Sequence, residues 1–528
     1  MKNKLNELLN NYNKPFAPIK KLEQIAKEER SRLARRATEN SKKINTLKLA
    51  ENNLKKSAKK YNVNNLKIIG ITGSFGKTSV ALLTHRYLQS IGKKSVLYSS
   101  AYIDSPATSF YRKASFDAII TNKDAIINII NECREYEADY LILECWEESI
   151  GLGIFDDIPF SLKVLTSFAY NFKHGIYADN DTYFKNKLRF FQDETCPVIM
   201  NMRIGREEKE DSHKRQSFID AIKGEKIYYA LVKPTSDQFK DLEISYTYTP
   251  KYKDYQKPIF FKAPNETVFV MRTAKHGDIL LKTPLVGFNI DNSLAAFAIA
   301  DYFNEINVEA WKEFIEDPSL YIAGRNQFVI YKGRTIVISP EALNTSEIYY
   351  DIRDNINEKY EDNIYPFKYE NVEFCPNKIN KIIALIGPAA PWSVGVNKYA
   401  EEWESLNISS GEQTQINRQI SNSISSSEAN IYNTYLDYVI INPVNLGAAN
   451  YEEVVKYMKS KLTIPASAEQ DRCKAILKAL MISEEGDVII ISGRGNRHLN
   501  FTSYDKIEQG SDLYLIEKAV KTLESMNF

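Results

Sequence analysis

The chain has 528 residues, of which 43% are hydrophobic and 26% charged, enough for about three or four domains with buried cores of their own. Sixty-nine Lys and Arg against 68 Asp and Glu leave a net charge of +1, which excludes the strongly basic profile of a protein built chiefly to hold nucleic acid. Five scattered cysteines form no Cys-x-x-Cys pair, which argues against a disulfide framework or structural zinc and for a reducing cytoplasm; no apolar run approaches the ~18 residues of a membrane span.

Taken in order, the first 66 residues are crowded with Lys and Arg, and residues 20 to 60 lack Pro and Gly while spacing apolar residues among charges. That pattern predicts a helix, read either as a solvated helix packed on its neighbour or as a binder of anionic surfaces. From Leu66 the pattern changes to strands alternating with helices. Apolar runs at Ile68 to Thr72, Ser95 to Ser99, Phe116 to Ile120, Tyr140 to Glu144 and Leu162 to Thr166 predict a mostly parallel sheet covered by helices. Residues 203 to 285 are less regular and rich in Lys and Tyr, with an antiparallel excursion such as Thr267 to Met271. After a helix at Asn292 to Phe303, a second α/β unit is expected from near Ser319, with strands at Thr335 to Ile338, Ile382 to Ile386, Tyr438 to Ile441 and Val488 to Ser492. Ser405 to Asn430, dense in Ser, Asn and Gln, reads as a long surface loop. The expected organisation is a basic helical segment over 1–66, a central, mostly parallel α/β domain over 67–318 and a Rossmann-like α/β domain over 319–528.

Gly73-Ser74-Phe75-Gly76-Lys77-Thr78-Ser79 falls at the first strand-to-helix turn. Glycines there let backbone N–H groups close on phosphate oxygens, Lys77 neutralises the terminal phosphates, and the Thr78 hydroxyl is placed to ligate Mg²⁺. The spacing falls one glycine short of the full Gly-x-x-x-x-Gly-Lys-[ST] pattern, because position 71 is isoleucine. The loop points to ATP and Mg²⁺ but names no reaction.

Ile71-Thr72-Gly73-Ser74-Phe75-Gly76-Lys77-Thr78-Ser79 resembles the ATP loop of the Mur ligases, and further segments agree in order. Leu143-Glu144-Cys145-Trp146-Glu147 lies where that family places a Mg²⁺-binding glutamate. Thr166 to Tyr170, His174 and Tyr183 to Phe191 resemble its Thr-Asn…Asp-His…Tyr-x-x-Ala-Lys stretch. Gly287 to Ala296 resembles its Gly-x-x-Asn-x-x-Asn-x-x-Ala-Ala helix start, and Ala323-Gly324-Arg325 the arginine signature that opens its C-terminal domain. Asp471-Arg472 and Gly486 to Gly495 are similar to the branch that adds the third residue of the peptide stem. The resemblance implies an ATP-dependent, ADP-forming ligase that joins a carboxylate acceptor to an amino acid or amine, without nucleic acid, in the cytoplasm.

On that resemblance Lys77, Glu144, His174 and Lys187 are catalytic, and Thr78, Glu144, His174 and Lys187 hold Mg²⁺, Lys187 as the lysine that is often carbamylated in these ligases. Gly73, Ser74, Gly76, Lys77, Thr78, Ser79, Asn289, Asn292 and Arg325 contact the nucleotide, and Asn442, Asn445, Arg494, Asn496 and Arg497 the second substrate. Each has a plainer reading beside it: Glu144 as a surface carboxylate at a strand end, His174 as an ordinary histidine, Lys187 as a solvated helix lysine, and the two asparagines as helix caps. Departures matter too. The metal-site stretch reads Asn171-Phe172-Lys173-His174, Ser339 to Asn344 lacks the family's acid and histidine, and Ile441-Asn442-Pro443-Val444-Asn445 and Gly493 to Arg497 depart from the diaminopimelate signatures. With only some 66 residues before the ATP loop domain, the usual UDP-sugar anchor is expected to be absent. A Mur-type amide synthetase outside wall synthesis and a nucleotide-binding scaffold without turnover remain the alternatives.

Overall fold

The computed structural model describes residues 65–99, 102–106, 109–111, 123–151, 153–168, 180–192, 195–202, 209–230, 243–250, 267–285, 288–318, 320–339, 380–387, 432–442, 444, 451–495, 499–501 and 507–526. The helix expected over 20–60, the strand at Phe116 to Ile120, the loop Ser405 to Asn430 and residues His174, Asn445, Asn496 and Arg497 lie outside the described residues.

The first half builds one sheet from β1 (Lys67–Thr72), β2 (Ser95–Tyr98), β3 (Tyr102–Asp104), β4 (Ser109–Tyr111), β5 (Tyr140–Glu144), β6 (Leu162–Leu165), β7 (Val198–Asn201), β8 (Lys226–Ala230), β9 (Tyr246–Pro250), β10 (Thr267–Thr273) and β11 (Gly277–Thr283). Their spatial order is β11-β10-β9-β8-β7-β6-β1-β5-β2-β3-β4. The seven strands from β9 to β2 run parallel, and β3, β4, β10 and β11 add antiparallel margins. Its helices are α1 (Lys77–Ser90), α2 (Lys123–Glu135), α3 (Glu147–Gly151), α4 (Asn180–Arg189), α5 (Lys209–Ala221), α6 (Phe288–Tyr302) and α7 (Val308–Glu316).

Near-continuous apolar runs make the central strands, as a sheet buried on both faces requires. Ile69 and Ile71 of β1 join the core under α1 and α6, whereas Ile68 joins the opposite core with Phe160, Phe190 and Phe191. Gly70 lets the second core close on β1, since a Cβ there would sit 2.6 Å from the Phe160 ring. Helix α6 begins four residues earlier than the expected start at Asn292, so Asn289 and Asn292 lie within its first turns and not at its cap. Its Leu294 to Ala300 stretch is buried on every side, and that burial outweighs the capping preference of asparagine.

Beneath the far end of α6, buried Asp301 accepts hydrogen bonds from Tyr246 Oη at 2.8 Å, Lys275 Nζ at 2.9 Å and His276 Nε2 at 2.8 Å, pinning the β10–β11 hairpin to the helix. Burial pushes its carboxyl upward, but the bonds from His276, Lys275 and Tyr246 outweigh it and leave Asp301 below the usual range. A depressed carboxylate stabilises the fold above its unfolded value, and that contribution is lost as pH falls through the folded value. Asp301→Asn is therefore expected to cost about 2 kcal/mol at neutral pH, from loss of charge-assisted bonds. In urea melts the gap to the parent protein should narrow below pH ~4, where the parent's own carboxylate protonates.

The second sheet comprises β12 (Gln327–Tyr331), β13 (Arg334–Ser339), β14 (Ile382–Ile386), β15 (Tyr438–Ile441), β16 (Ala466–Ala468) and β17 (Val488–Ser492), ordered β12-β13-β17-β14-β15-β16. All but β12 are parallel. β12 returns through Lys332 and Gly333, both at positive φ (46° and 73°), the conformation a two-residue hairpin loop favours. Helix α8 (Tyr451–Lys461) covers one face, and α9 (Arg472–Ile482) and α10 (Asp512–Ser525) the other. A small hairpin of β18 (Leu499–Phe501) and β19 (Ile507–Gln509) precedes α10. Among the described residues, no helix is long and apolar enough to cross a membrane, and Cys133, Cys145, Cys196 and Cys473 are buried free thiols.

Candidate functional site

β1 is the point where the first sheet changes direction: β5 and β2 lie on one side of it and β6 on the other. Ligands of open α/β sheets bind at such a switch point, beyond the carboxyl ends of the strands. The loop Gly73 to Gly76 leaves β1 there and opens α1. Gly76 occupies the N-cap with φ 85°, contributes no side-chain cap, and is followed by a first turn without an acidic residue. The positive end of α1 thus has no side-chain carboxylate of its own to offset it, which suits a phosphate.

Both glycines are required by close neighbours. A Cβ at Gly73 would meet Thr166 Oγ1 at 2.1 Å, and one at Gly76 would meet Asn292 Oδ1 at 2.5 Å. The loop is braced further by Ser167, whose Oγ accepts from the Phe75 N–H at 2.7 Å and whose carbonyl accepts from the Ser74 N–H at 2.9 Å. Thr166 Oγ1 donates to the Phe75 carbonyl. Asn201 at the end of β7 donates to the Thr166 carbonyl and the Asp291 carboxylate, both at 2.8 Å, and so ties β6 to the start of α6.

Charged groups converge on this frame. Lys77 Nζ donates to the Gly73 carbonyl at 2.8 Å and lies 4.9 Å from the centroid of the Trp146 ring. Thr78 Oγ1 donates to Glu144 at 3.0 and 3.1 Å, a contact set by the β1–β5 register that pairs Ile71 with Glu144. Tyr183 and Lys187, one helical turn apart on α4, face the same loop: Tyr183 Oη lies 2.8 Å from Ser74 Oγ, and Lys187 Nζ donates to the Gly73 carbonyl at 3.0 Å. Lys187 also donates to Glu147 Oε2 at 2.9 Å, with both side chains buried. Ser79 is buried in the first turn of α1.

Asn292 Nδ2 donates to Asn289 Oδ1 at 3.1 Å, and Asn289 Nδ2 to the Arg325 backbone carbonyl at 2.7 Å, which joins α6 to the segment leading into the second sheet. In the second sheet, the Asn442 amide is committed internally: Nδ2 donates to the Glu469 and Gln470 carbonyls and Oδ1 accepts from Arg472. Arg494 is buried between Gly493 and Gly495, both at positive φ, just past the end of β17. Ser167, Tyr183, Asn201 and the Lys187 partner Glu147 escaped assignment from the sequence. The stretch Tyr183 to Phe191, which resembles the family's Tyr-x-x-Ala-Lys segment, already held Tyr183 beside Lys187 at i, i+4 spacing, but only Lys187 was assigned.

Trp146 offers a direct optical report on this loop, because its indole N–H has no hydrogen-bond partner among the described residues and its ring carries the Lys77 ammonium. Titration with ADP is expected to change tryptophan emission in the parent protein as Lys77 moves to the phosphates, and Trp146→Phe is expected to abolish that change.

A glycine loop at the switch point of a parallel sheet, with a lysine and a hydroxyl in the first helical turn, places this chain in the phosphate-loop class of α/β proteins. Residues 71–300 match the family model of the Mur ligase middle domain. A curated relative, the UDP-N-acetylmuramoyl-L-alanyl-D-glutamate–2,6-diaminopimelate ligase of Prochlorococcus marinus subsp. pastoris, is 24% identical over 243 residues, covering 44% of this chain and 42% of the relative. The match therefore spans less than half the length of that enzyme. Among solved structures, a ligase of the same name aligns with TM-score 0.50 and 16% identity over 87% of this chain and 79% of its own. FolC of E. coli, in complex with DHPP and ADP, aligns with TM-score 0.52 and 13% identity over 88% and 91%. These structural likenesses establish the fold.

Proposed function

We propose that the chain is an ATP-dependent, ADP-forming ligase that activates an acceptor carboxylate as an acyl phosphate and couples it to an amino acid or amine. The observation that carries this reading is the convergence of Lys77 and the Thr78–Glu144 pair on the Gly73–Gly76 loop within a Mur ligase middle domain. A carboxylate oxygen of the acceptor attacks the γ-phosphorus and ADP departs; the amine nitrogen then attacks the acyl carbon, phosphate departs, and the nitrogen loses a proton.

Two anions meet in the first step, so charge neutralisation is the main demand on the protein. Lys77 exchanges the Gly73 carbonyl for the terminal phosphates, and the N–H groups of the first turn of α1 hold their oxygens. Thr78 and Glu144 supply hard oxygen donors side by side, and no cluster of three metal-ligating side chains occurs among the described residues. That donor set fits Mg²⁺, which takes one or two protein oxygens and completes its shell with phosphate and water. When bound there, Mg²⁺ offsets the charge of the phosphates. The remaining assignments belong to the same proposal: Ser74, Ser79, Asn289, Asn292 and Arg325 around the nucleotide, and Asn442, Asn445, Arg494, Asn496 and Arg497 on the side of the amine. A cytoplasmic location belongs to the same proposal.

The test is phosphate and ADP release with MgATP, read together with product mass, over a panel that includes a UDP-linked muramyl dipeptide and a γ-glutamyl acceptor, each with diverse amino acids. Acceptor-dependent ADP formation with a new amide establishes the ligase. Nucleotide binding without acceptor-dependent turnover across the panel selects the scaffold reading instead.

A further inference from the structure

The glycine loop commits part of its backbone to the protein. Ser74 gives its N–H to the Ser167 carbonyl at 2.9 Å, and Phe75 gives its N–H to Ser167 Oγ at 2.7 Å. The same Oγ donates to the Phe75 carbonyl at 2.9 Å, so one hydroxyl holds both polar ends of a single loop residue. Thr166 Oγ1 donates to that carbonyl as well. From Gly76 onward the pattern changes. The first bond of α1 runs from the Val80 N–H to the Gly76 carbonyl at 2.9 Å, so the N–H groups of Lys77, Thr78 and Ser79 precede the helical ladder and point out of the helix end.

The brace is itself fixed from three strands. Thr166 follows β6 and gives its N–H to the Thr72 carbonyl of β1 at 2.9 Å, while its own carbonyl accepts from Asn201 Nδ2 of β7 at 2.8 Å and from Tyr229 Oη of β8 at 3.4 Å. Gly73 admits the next residue, since a Cβ there would lie 2.9 Å from the Ser167 backbone nitrogen. We propose that Ser167 is a positioning residue for nucleotide binding: it commits the Ser74 and Phe75 N–H groups to the protein and thereby reserves the phosphate for those from Gly76 to Ser79. This rests on the nucleotide-binding part of the function proposed above, not on the identity of the acceptor. Ser167 stands where the resembling family stretch carries asparagine, and it lies outside the residues to which that resemblance assigns a role. The physical benefit is preorganisation. A loop with Gly73 at φ 154° and Gly76 at φ 85° has much conformational freedom to lose, and the brace removes that freedom before the ligand arrives. A hydroxyl suits the task because it accepts from an N–H and donates to a carbonyl at once.

Residue-level amide exchange on the parent protein, without and with ADP and Mg²⁺, is the direct test. The Ser74 and Phe75 amides are expected to be protected already in the nucleotide-free protein and to change little on adding ADP, whereas those of Lys77 to Ser79 are expected to slow by about tenfold or more. A Phe75 amide that exchanges at its unstructured rate, or gains protection only with ADP, overturns the proposal. Ser167→Ala is expected to weaken ADP binding by about tenfold, the scale of one or two neutral hydrogen bonds, with exchange protection of β1, β5 and β6 kept at the parent level. Ser167→Thr, which retains the hydroxyl, is expected to restore most of the affinity. Unchanged affinity in a folded Ser167→Ala protein, or an equal loss in Ser167→Thr, also overturns it. Should Ser167→Ala fail to fold, the exchange pattern of the parent protein still decides. Absence of ADP binding by the parent protein would overturn the functional reading and the role of Ser167 with it, whereas an unprotected Phe75 amide in a protein that binds ADP overturns the role of Ser167 alone.

Discussion

Lys77→Ala is expected to lower acceptor-dependent ADP formation by about 10²–10³-fold, the scale set by removing one preorganised donor from a developing anion. The side chain is buried, and in the absence of nucleotide it is held by the Gly73 carbonyl and the Trp146 ring, so it waits within the loop it serves. Its loss removes the only cation in the first turn of α1 and leaves Glu144 near the incoming phosphates, with Glu147 still paired to Lys187. ADP binding by calorimetry and ADP release under saturating acceptor should fall together. Hydrogen-exchange protection of the first sheet should be retained, because β1 and its neighbours are held by apolar burial that does not involve Lys77. Full activity in Lys77→Ala would remove the loop from the chemistry.

The second large effect is structural and lies in the other sheet. Arg472 and Asp512 are the first residues of α9 and α10, both fully buried, and they form a bidentate pair with Nε to Oδ1 at 2.8 Å and Nη2 to Oδ2 at 2.9 Å. The same guanidinium donates to Asn442 Oδ1 at 2.9 Å and to the Ser492 carbonyl at 2.8 Å, while Asp512 accepts from the Gly495 N–H at 2.7 Å. One ion pair thereby joins the ends of β15 and β17 to two helix starts, and fixes the turns that carry Asn442 and Arg494. Arg472→Met strands the Asp512 carboxylate in the interior and is expected to destabilise the second sheet by about 3–5 kcal/mol. The double variant Arg472→Met with Asp512→Leu should recover much of that, since removing both charges removes the stranded one. Hydrogen exchange read separately over α9, α10 and the first sheet checks both, with protection lost only in the second sheet. Equal protection in the single variant and the parent would show that the pair contributes nothing net.

What the sequence made legible follows from how local each signal is. Strands β5, β14, β15 and β17 coincide with the expected apolar runs, and β1, β2 and β6 differ by a residue at one end, because a strand buried on both faces announces itself by composition alone. The phosphate loop was equally visible, since its glycines and lysine are consecutive. The start of α6 was misplaced, because Asn292 reads locally as a cap while the burial that extends the helix back to Phe288 comes from α1 and β7 to β9. β7, β8 and β12, each only four or five residues long, passed unnoticed. At the site, Lys77, Thr78 and Glu144 were found from motifs. Thr166, Asn201 and Glu147 acquire their roles only when strands and helices far apart in sequence come together, and no pattern within a window encodes that.

The glycine at position 76 has a consequence for how the protein comes into being. It makes room for Asn292, and Gly73 for Thr166, so the loop takes its final shape only when segments about a hundred and two hundred residues downstream have docked. Contacts of such long range form late, after the entropy of closing the intervening chain has been met. A nascent or truncated chain that stops short of α6 possesses every residue of the loop and lacks the part of its enclosure that Asn292 supplies. Competence to bind a phosphate is thus acquired at the end of folding, and a ligand that selects the finished loop stabilises, by mass action, the whole eleven-stranded sheet.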